Sequence, residues 1–108
     1  MFIVGSGMSY HNLHGLMGAT RSPQVAAQVL ADSQRFDGWL AELATRSESE
    51  IETRLVEWEK APAARDAHPR EEHLLPLMVV AGAGLGETVS RPFAAKTLGA
   101  QVSATQFG

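Results

Sequence analysis

The chain has 108 residues, 44% of them apolar, which is enough for one small domain, predicted to span residues 1–108, with a core of its own. Its net charge is −3, and its nine Lys and Arg form no basic run, which argues against nucleic acid as a partner. It has no cysteine, which excludes disulfides and thiolate metal sites and is typical of a reducing cytoplasm, the expected location.

The first elements are short. The apolar run Phe2–Val4 predicts a buried strand that ends at the glycine turn of residues 5–7. A buried strand needs neighbours on both sides, so we expect a fold that is incomplete at this front edge. Apolar residues at helical spacing then predict a short helix from Ser9 to Met17.

Two amphipathic helices are predicted next, after a loop over residues 18–24. Asp32 or Ser33 is expected to cap the first helix, in which apolar residues from Phe36 to Leu43 recur at i, i+3, i+4 and i+7. The second is predicted from about Glu48 to Lys60. Both apolar stripes indicate helices that face a core and have solvated backs.

The segment HPREEHLLPL, residues 68–77, places charged side chains and histidines directly before the most apolar run of the chain. Pro76 does not suit a helix interior, so we expect a turn over residues 71–73 and then a buried helix from Pro76 through Ala81. This run is shorter than the roughly 20 residues that span a bilayer, so no membrane partner is expected. Polar side chains at the end of a rigid helix have fixed positions and remain accessible to a ligand.

The C-terminal part predicts an antiparallel hairpin. Residues Glu87–Phe93 and Gln101–Phe107 can form its strands, with Gly99 in the connection. The predicted fold class is therefore α/β, with one or more short buried strands, three to five helices and a C-terminal β-hairpin.

Several polar residues are candidates for chemistry. His11 follows the end of a strand, where α/β folds bind ligands, and it can act as a general base; alternatively it only hydrogen-bonds the loop. His73 beside Glu72 can bind Fe(II) or Zn(II), because imidazole with carboxylate suits both metals. Alternatively, Glu71 and Glu72 form a charged first helical turn. His14, three residues after His11, has chelating spacing.

Three stretches together, FIVGSGMSYHNL (residues 2–13), FDGWL (36–40) and RLVEWEKAPAARDAHPREEHLLPLMVVAGA (54–83), resemble the C-terminal part of class III extradiol ring-cleavage dioxygenases. The catechol and 4,5-DOPA dioxygenase branch is the most similar. The likeness covers most of the chain and is weakest from Thr88 onward. It implies an α/β fold with a central sheet, a site at strand ends, Fe(II) or Zn(II) as cofactor, and the opening of catechol rings by O2.

The resemblance also implies roles for individual residues. His11 corresponds to the acid/base histidine of the family and His73 to a metal ligand, with Glu72 a second metal candidate. His14 receives no role. In the implied mechanism His11 takes a phenolic proton, oxygen enters a ring bond next to the diol, and the resulting lactone is hydrolysed to an open chain.

Family members are more than twice this long, and their other two histidine ligands lie in an N-terminal half that this sequence lacks. We therefore expect the chain to be inactive alone on catechols and to need an N-terminal half or a partner subunit. We also expect a homo-oligomer that covers the edge of Phe2–Val4. Two alternatives remain: a non-catalytic metal-binding or protein-interaction module on the same scaffold, and a small zinc protein using His11, His14 and His73.

Overall fold

The computed structural model of the chain describes residues 3–84 and 86–108. Within these ranges the chain forms five α-helices, a 3₁₀ turn and a two-stranded antiparallel sheet. The elements are α1 (Leu13–Ala19), α2 (Pro23–Leu43), α3 (Glu48–Val56), the 3₁₀ turn (Trp58–Lys60), α4 (Ala64–Ala67), α5 (Leu75–Ala83), β1 (Val89–Thr97) and β2 (Ala100–Phe107). The α/β class and the C-terminal hairpin are confirmed at this level.

The strand predicted at Phe2–Val4 is wrong where the structure describes it, and Phe2 lies outside the described residues. Ile3 and Val4 have no regular secondary structure and are 44% and 74% exposed. A run of apolar residues becomes a strand only when another strand offers its backbone groups, and no described segment pairs with this one.

Helix α2 begins much earlier than predicted. The Ser22 hydroxyl accepts a hydrogen bond from the Val25 amide at 3.3 Å, and Pro23 occupies the first turn, where its missing N–H costs nothing. Asp32 and Ser33 are therefore not caps; they are buried in the interior of the helix. Ser22 and Pro23, which begin α2, lie within residues 18–24, the segment predicted as a loop.

The core surrounds α2. The predicted stripe from Phe36 to Leu43 is buried, and α3 begins at Glu48 as expected because Ser47 and Glu50 form a capping box. The predicted helix 48–60 is divided into α3 and the 3₁₀ turn. The larger buried apolar side chains are Tyr10, Val29, Phe36, Trp39, Leu40, Leu43, Ile51, Leu55, Trp58 and Leu74.

The break before Pro76 is confirmed, but the burial of the following helix is not. A turn ends at Leu74 and α5 starts at Leu75, with the proline in its first turn. Of the helix residues, Ala81 is buried, whereas Leu75 and Val79 are 44% and 65% exposed. The apolar composition indicates a preference for burial, but the described chain covers only one side of α5.

The hairpin is antiparallel, as predicted. Its strands extend further towards the turn than the predicted strands 87–93 and 101–107. Leu98 and Gly99 both have positive φ (54° and 84°), as a two-residue type I′ connection requires. The register slips between Ser90 and Phe93, next to Pro92, which cannot donate to the ladder. Across the described ranges, no helix combines the length and the hydrophobicity needed to cross a membrane.

Candidate functional site

The imidazole rings of His11 and His73 lie face to face, although 62 positions separate them along the chain (73 minus 11). Their centroids are 3.5 Å apart and the ring planes differ by 19°. The two side chains that the resemblance assigns to one site therefore lie in contact, and of the two, His73 lines the groove described below. His11 is half-buried and His73 is exposed. Their chemical roles stay predictions.

Backbone hydrogen bonds hold this pair together. The Met8 amide donates to the His73 carbonyl at 3.1 Å, and the His11 amide donates to the Ala67 carbonyl at 2.8 Å. The segment that carries His11 therefore runs beside the segment from α4 to α5 that carries His73. Because each histidine belongs to one of two segments fixed by their backbones, the stack does not depend on side-chain contacts alone.

Asn12 adds a third connection and determines where α1 begins. Its side-chain nitrogen donates to the Asp66 carbonyl at 2.8 Å, and its side-chain oxygen accepts from the Gly15 amide at 2.9 Å. Asn12 is thus the N-cap of α1, so the helix starts at Leu13 and not at Ser9, as the sequence had suggested. His11 consequently lies on irregular backbone immediately before the cap.

Two glycines allow the N-terminal segment to approach the start of α5. A Cβ on Gly7 would lie 2.4 Å from the His73 oxygen, and one on Gly5 would lie 2.7 Å from the Pro76 oxygen. Neither distance is possible for a real side chain. The sequence suggested that this Gly-Ser-Gly forms a turn; the structure uses the glycines for close backbone approach.

His68 is a buried histidine of this region that sequence reasoning did not single out. Its side chain is fully buried, and its Nε2 donates to the Ser9 carbonyl at 2.9 Å, since a carbonyl only accepts. Burial lowers the pKa of His68, opposed by the Ser9 hydrogen bond and aided by the charges of His11 and His73. His68 is therefore neutral at pH 7. Spacing gave no signal for it, because its partner lies 59 positions away.

Arg65 fixes the other end of the turn that leads to His73. Its guanidinium lies 4.6 Å from the centre of the Trp58 ring, donates to the Pro69 carbonyl and pairs with Glu71, both at 3.2 Å. A hydrogen bond to its own backbone and the one from Arg65 lower the pKa of Glu71. Both carboxylates are exposed, and Glu71 has a structural partner in Arg65.

A groove of about 700 Å³ runs from His73 along the molecule. The segment 3–9 forms one wall, residues 103–108 the other, and the apolar side chains of Pro76, Leu77 and Val80 line it between them. The two walls meet where the Ser103 amide donates to the Ser9 hydroxyl at 2.9 Å. Apart from His73, Glu87 is the ionisable side chain among the described residues that line the groove.

The geometry of the pair limits how it can bind a metal. Imidazole lone pairs lie in the ring plane, so two nearly parallel rings do not direct them at one ion. The two rings therefore do not fit as ligands of the same ion. Among residues 3–84 and 86–108, no three His, Asp or Glu side chains form a group that can hold a metal. Glu72 and His14 thus do not complete a site with the pair.

Compared with protein-family models, curated proteins and solved structures, the chain matches none of them. The resemblance to extradiol dioxygenases therefore depends on the sequence motifs alone.

Proposed function

We propose that the chain provides part of an extradiol dioxygenase-like site, with His73 as a metal ligand and His11 as the proton carrier. It would be the C-terminal portion of that α/β fold. The remaining ligands would come from an N-terminal half or from a partner subunit. The observation that carries the proposal is the contact between two histidines that lie in different motifs of the resemblance, at 3.5 Å between ring centres.

The stacking of the His11 and His73 rings explains why one histidine is proposed as the metal ligand and the other as the base. Two parallel rings cannot both ligate one ion, so one ligand and one neighbouring base is the arrangement that uses both side chains. Fe(II) or Zn(II), when bound, would act as Lewis acid and template for both catechol oxygens and O2. His11 would accept a phenolic proton and later return it, which is general base and then general acid catalysis.

The groove beside His73 supports a small aromatic substrate of the catechol type. Its apolar lining from Pro76 to Val80 suits the faces of a ring, and no Lys or Arg lies among the described lining residues to select a carboxylate. Substrate, O2 and metal are all part of the proposal, as is a cytoplasmic location.

Exposed apolar side chains support the proposal that another polypeptide packs against this chain and completes the site. Val4 and Val79 are 74% and 65% exposed, and both lie on elements that border the groove or its lining helix. Apolar side chains left in water favour association, whether with an N-terminal half, a partner subunit or a second copy of the chain. A homo-oligomer is therefore part of the proposal.

A non-catalytic protein-interaction module is the second candidate. The observation that favours it is that the described residues hold no three-donor group. A metal titration of the completed complex separates the two: an interaction module binds its partner but no Fe(II) or Zn(II), whereas the dioxygenase site binds one ion.

The test is complementation. The chain is mixed with the N-terminal half of a 4,5-DOPA-type dioxygenase and Fe(II), and O2 uptake is followed with a panel of catechols. We expect turnover from the mixture and none from either part alone. Turnover by the isolated chain at enzymatic rates, or none from a mixture shown to associate and bind metal, would contradict the proposal.

Three variants separate the roles. His11→Gln should lower turnover by about 10²–10⁴-fold, the usual contribution of a general acid/base, with metal content unchanged. His73→Ala should lose both metal and turnover. His14→Ala is the matched control, a neighbouring exposed histidine without an assigned role, and should change neither.

A further inference from the structure

His68 stands behind the histidine pair and is enclosed by aromatic side chains. The ring of Phe36 meets it edge to face at 5.3 Å, and that of Trp58 at 6.2 Å with an interplanar angle of 88°. These rings come from α2 and the 3₁₀ turn, so the core fixes the direction in which the imidazole points. That direction is towards Ser9.

The chemistry of the ring defines its protonation. Nε2 donates to the Ser9 carbonyl, while Nδ1 is buried and has no hydrogen-bond partner in the described part of the chain. A proton on Nδ1 would place an unmatched N–H in the core, so the neutral Nε2–H form fits this place. His68 is therefore a donor and not a proton carrier.

The bond acts on the backbone that carries His11. Ser9 precedes His11 by two positions, and its hydroxyl also accepts from the Ser103 amide of β2. The backbone amides of Met8 and His11 donate to carbonyls of the segment 67–73, namely those of His73 and Ala67. His68, from the same segment 67–73, adds a side-chain bond to Ser9, which lies between Met8 and His11, so three hydrogen bonds hold residues 8–11 to that segment.

We infer that His68 is a positioning residue: its Nε2–H holds the Ser9 carbonyl and thereby keeps the His11 ring stacked on His73. The catalytic meaning of this role rests on the proposed function. The role itself concerns geometry, and it is testable without metal or substrate.

The test uses two amide substitutions in the full chain. The amide nitrogen of Gln reaches the position of Nε2, whereas that of Asn reaches only the position of Nδ1. Both variants place a similar polar group in the core. With histidines labelled with ¹³C, NOESY spectra report ring-to-ring contacts of His11 and His73, and cross-strand contacts between β1 and β2 report the fold.

We expect His68→Gln to keep the cross-peak between the two rings and His68→Asn to lose it while the hairpin contacts persist. The inference is overturned if Asn keeps the cross-peak, if Gln loses it in a folded chain, or if neither variant folds, because His68 would then serve the core as a whole. Failure of complementation with this NOE pattern intact would count against the proposed function and leave the positioning role standing.

Discussion

Acid should destabilise the chain through His68. The fold lowers the pKa of this residue, chiefly by burial, so the folded ring resists a proton that the unfolded ring accepts near its usual value of 6.5. The unfolded state then binds more protons below that pH, and the free energy of unfolding falls as pH falls. The stability due to the neutral ring is fully present above about pH 6.5 and is lost as pH drops through the folded pKa.

The magnitude follows from proton linkage. If the folded ring stays unprotonated, the loss between pH 7.5 and pH 5.5 approaches about 1.4 kcal/mol, since one unit below the unfolded pKa corresponds to about 1.4 kcal/mol. This loss is a large share of the stability of a small domain.

The assay is guanidinium chloride unfolding at both pH values for the wild type and for His68→Gln. The Gln variant keeps the donor but has no titrating group, so other histidines and carboxylates contribute alike to both proteins. We expect the wild type to lose more than the variant between pH 7.5 and 5.5, by up to about 1.4 kcal/mol. Equal losses, or a greater loss in the variant, would refute the argument that His68 is neutral and desolvated.

Two further predictions concern the elements that support the site. Gly7→Ala should destabilise the chain by about 1–3 kcal/mol, because its Cβ would lie 2.4 Å from the His73 carbonyl oxygen. Gly38→Ala is the control: it lies inside α2 with nothing within 4 Å of the added Cβ, and it should stabilise the chain by about 0.5–1 kcal/mol. Denaturant midpoints measure both effects, and equal shifts in the two variants would contradict the prediction. Asp37→Ala should cost about 3 kcal/mol, because it leaves the largely buried guanidinium of Arg91 without the carboxylate 2.7 Å away; a loss below about 0.5 kcal/mol would contradict the role of this pair.

Local rules predicted much of the fold. Pro76 predicted the turn before α5 and Gly99 the hairpin connection, because each depends on the backbone of a few adjacent residues. The capping box that begins α3 is also local, but the start of that helix was predicted from its apolar pattern alone. The start of α2 was equally local, but the serine-proline pair at Ser22 was interpreted as a loop.

Long-range contacts decided what the sequence missed. Val4 looked like part of a strand, yet no partner strand lies beside it among the described residues. The outer face of α5 looked buried, yet nothing in those ranges covers Val79. His68 gave no signal because its partner is far away in sequence. The meeting of His11 and His73 was expected from the family resemblance, since no spacing rule links residues so far apart.

The most direct test of the central claim is a measurement on the unaltered chain. In a NOESY spectrum with ¹³C-labelled histidine at pH 7.5, a cross-peak should join ring protons of His11 and His73, alongside contacts between β1 and β2. Hairpin contacts without any contact between the two imidazoles would contradict the shared site and the function proposed for it.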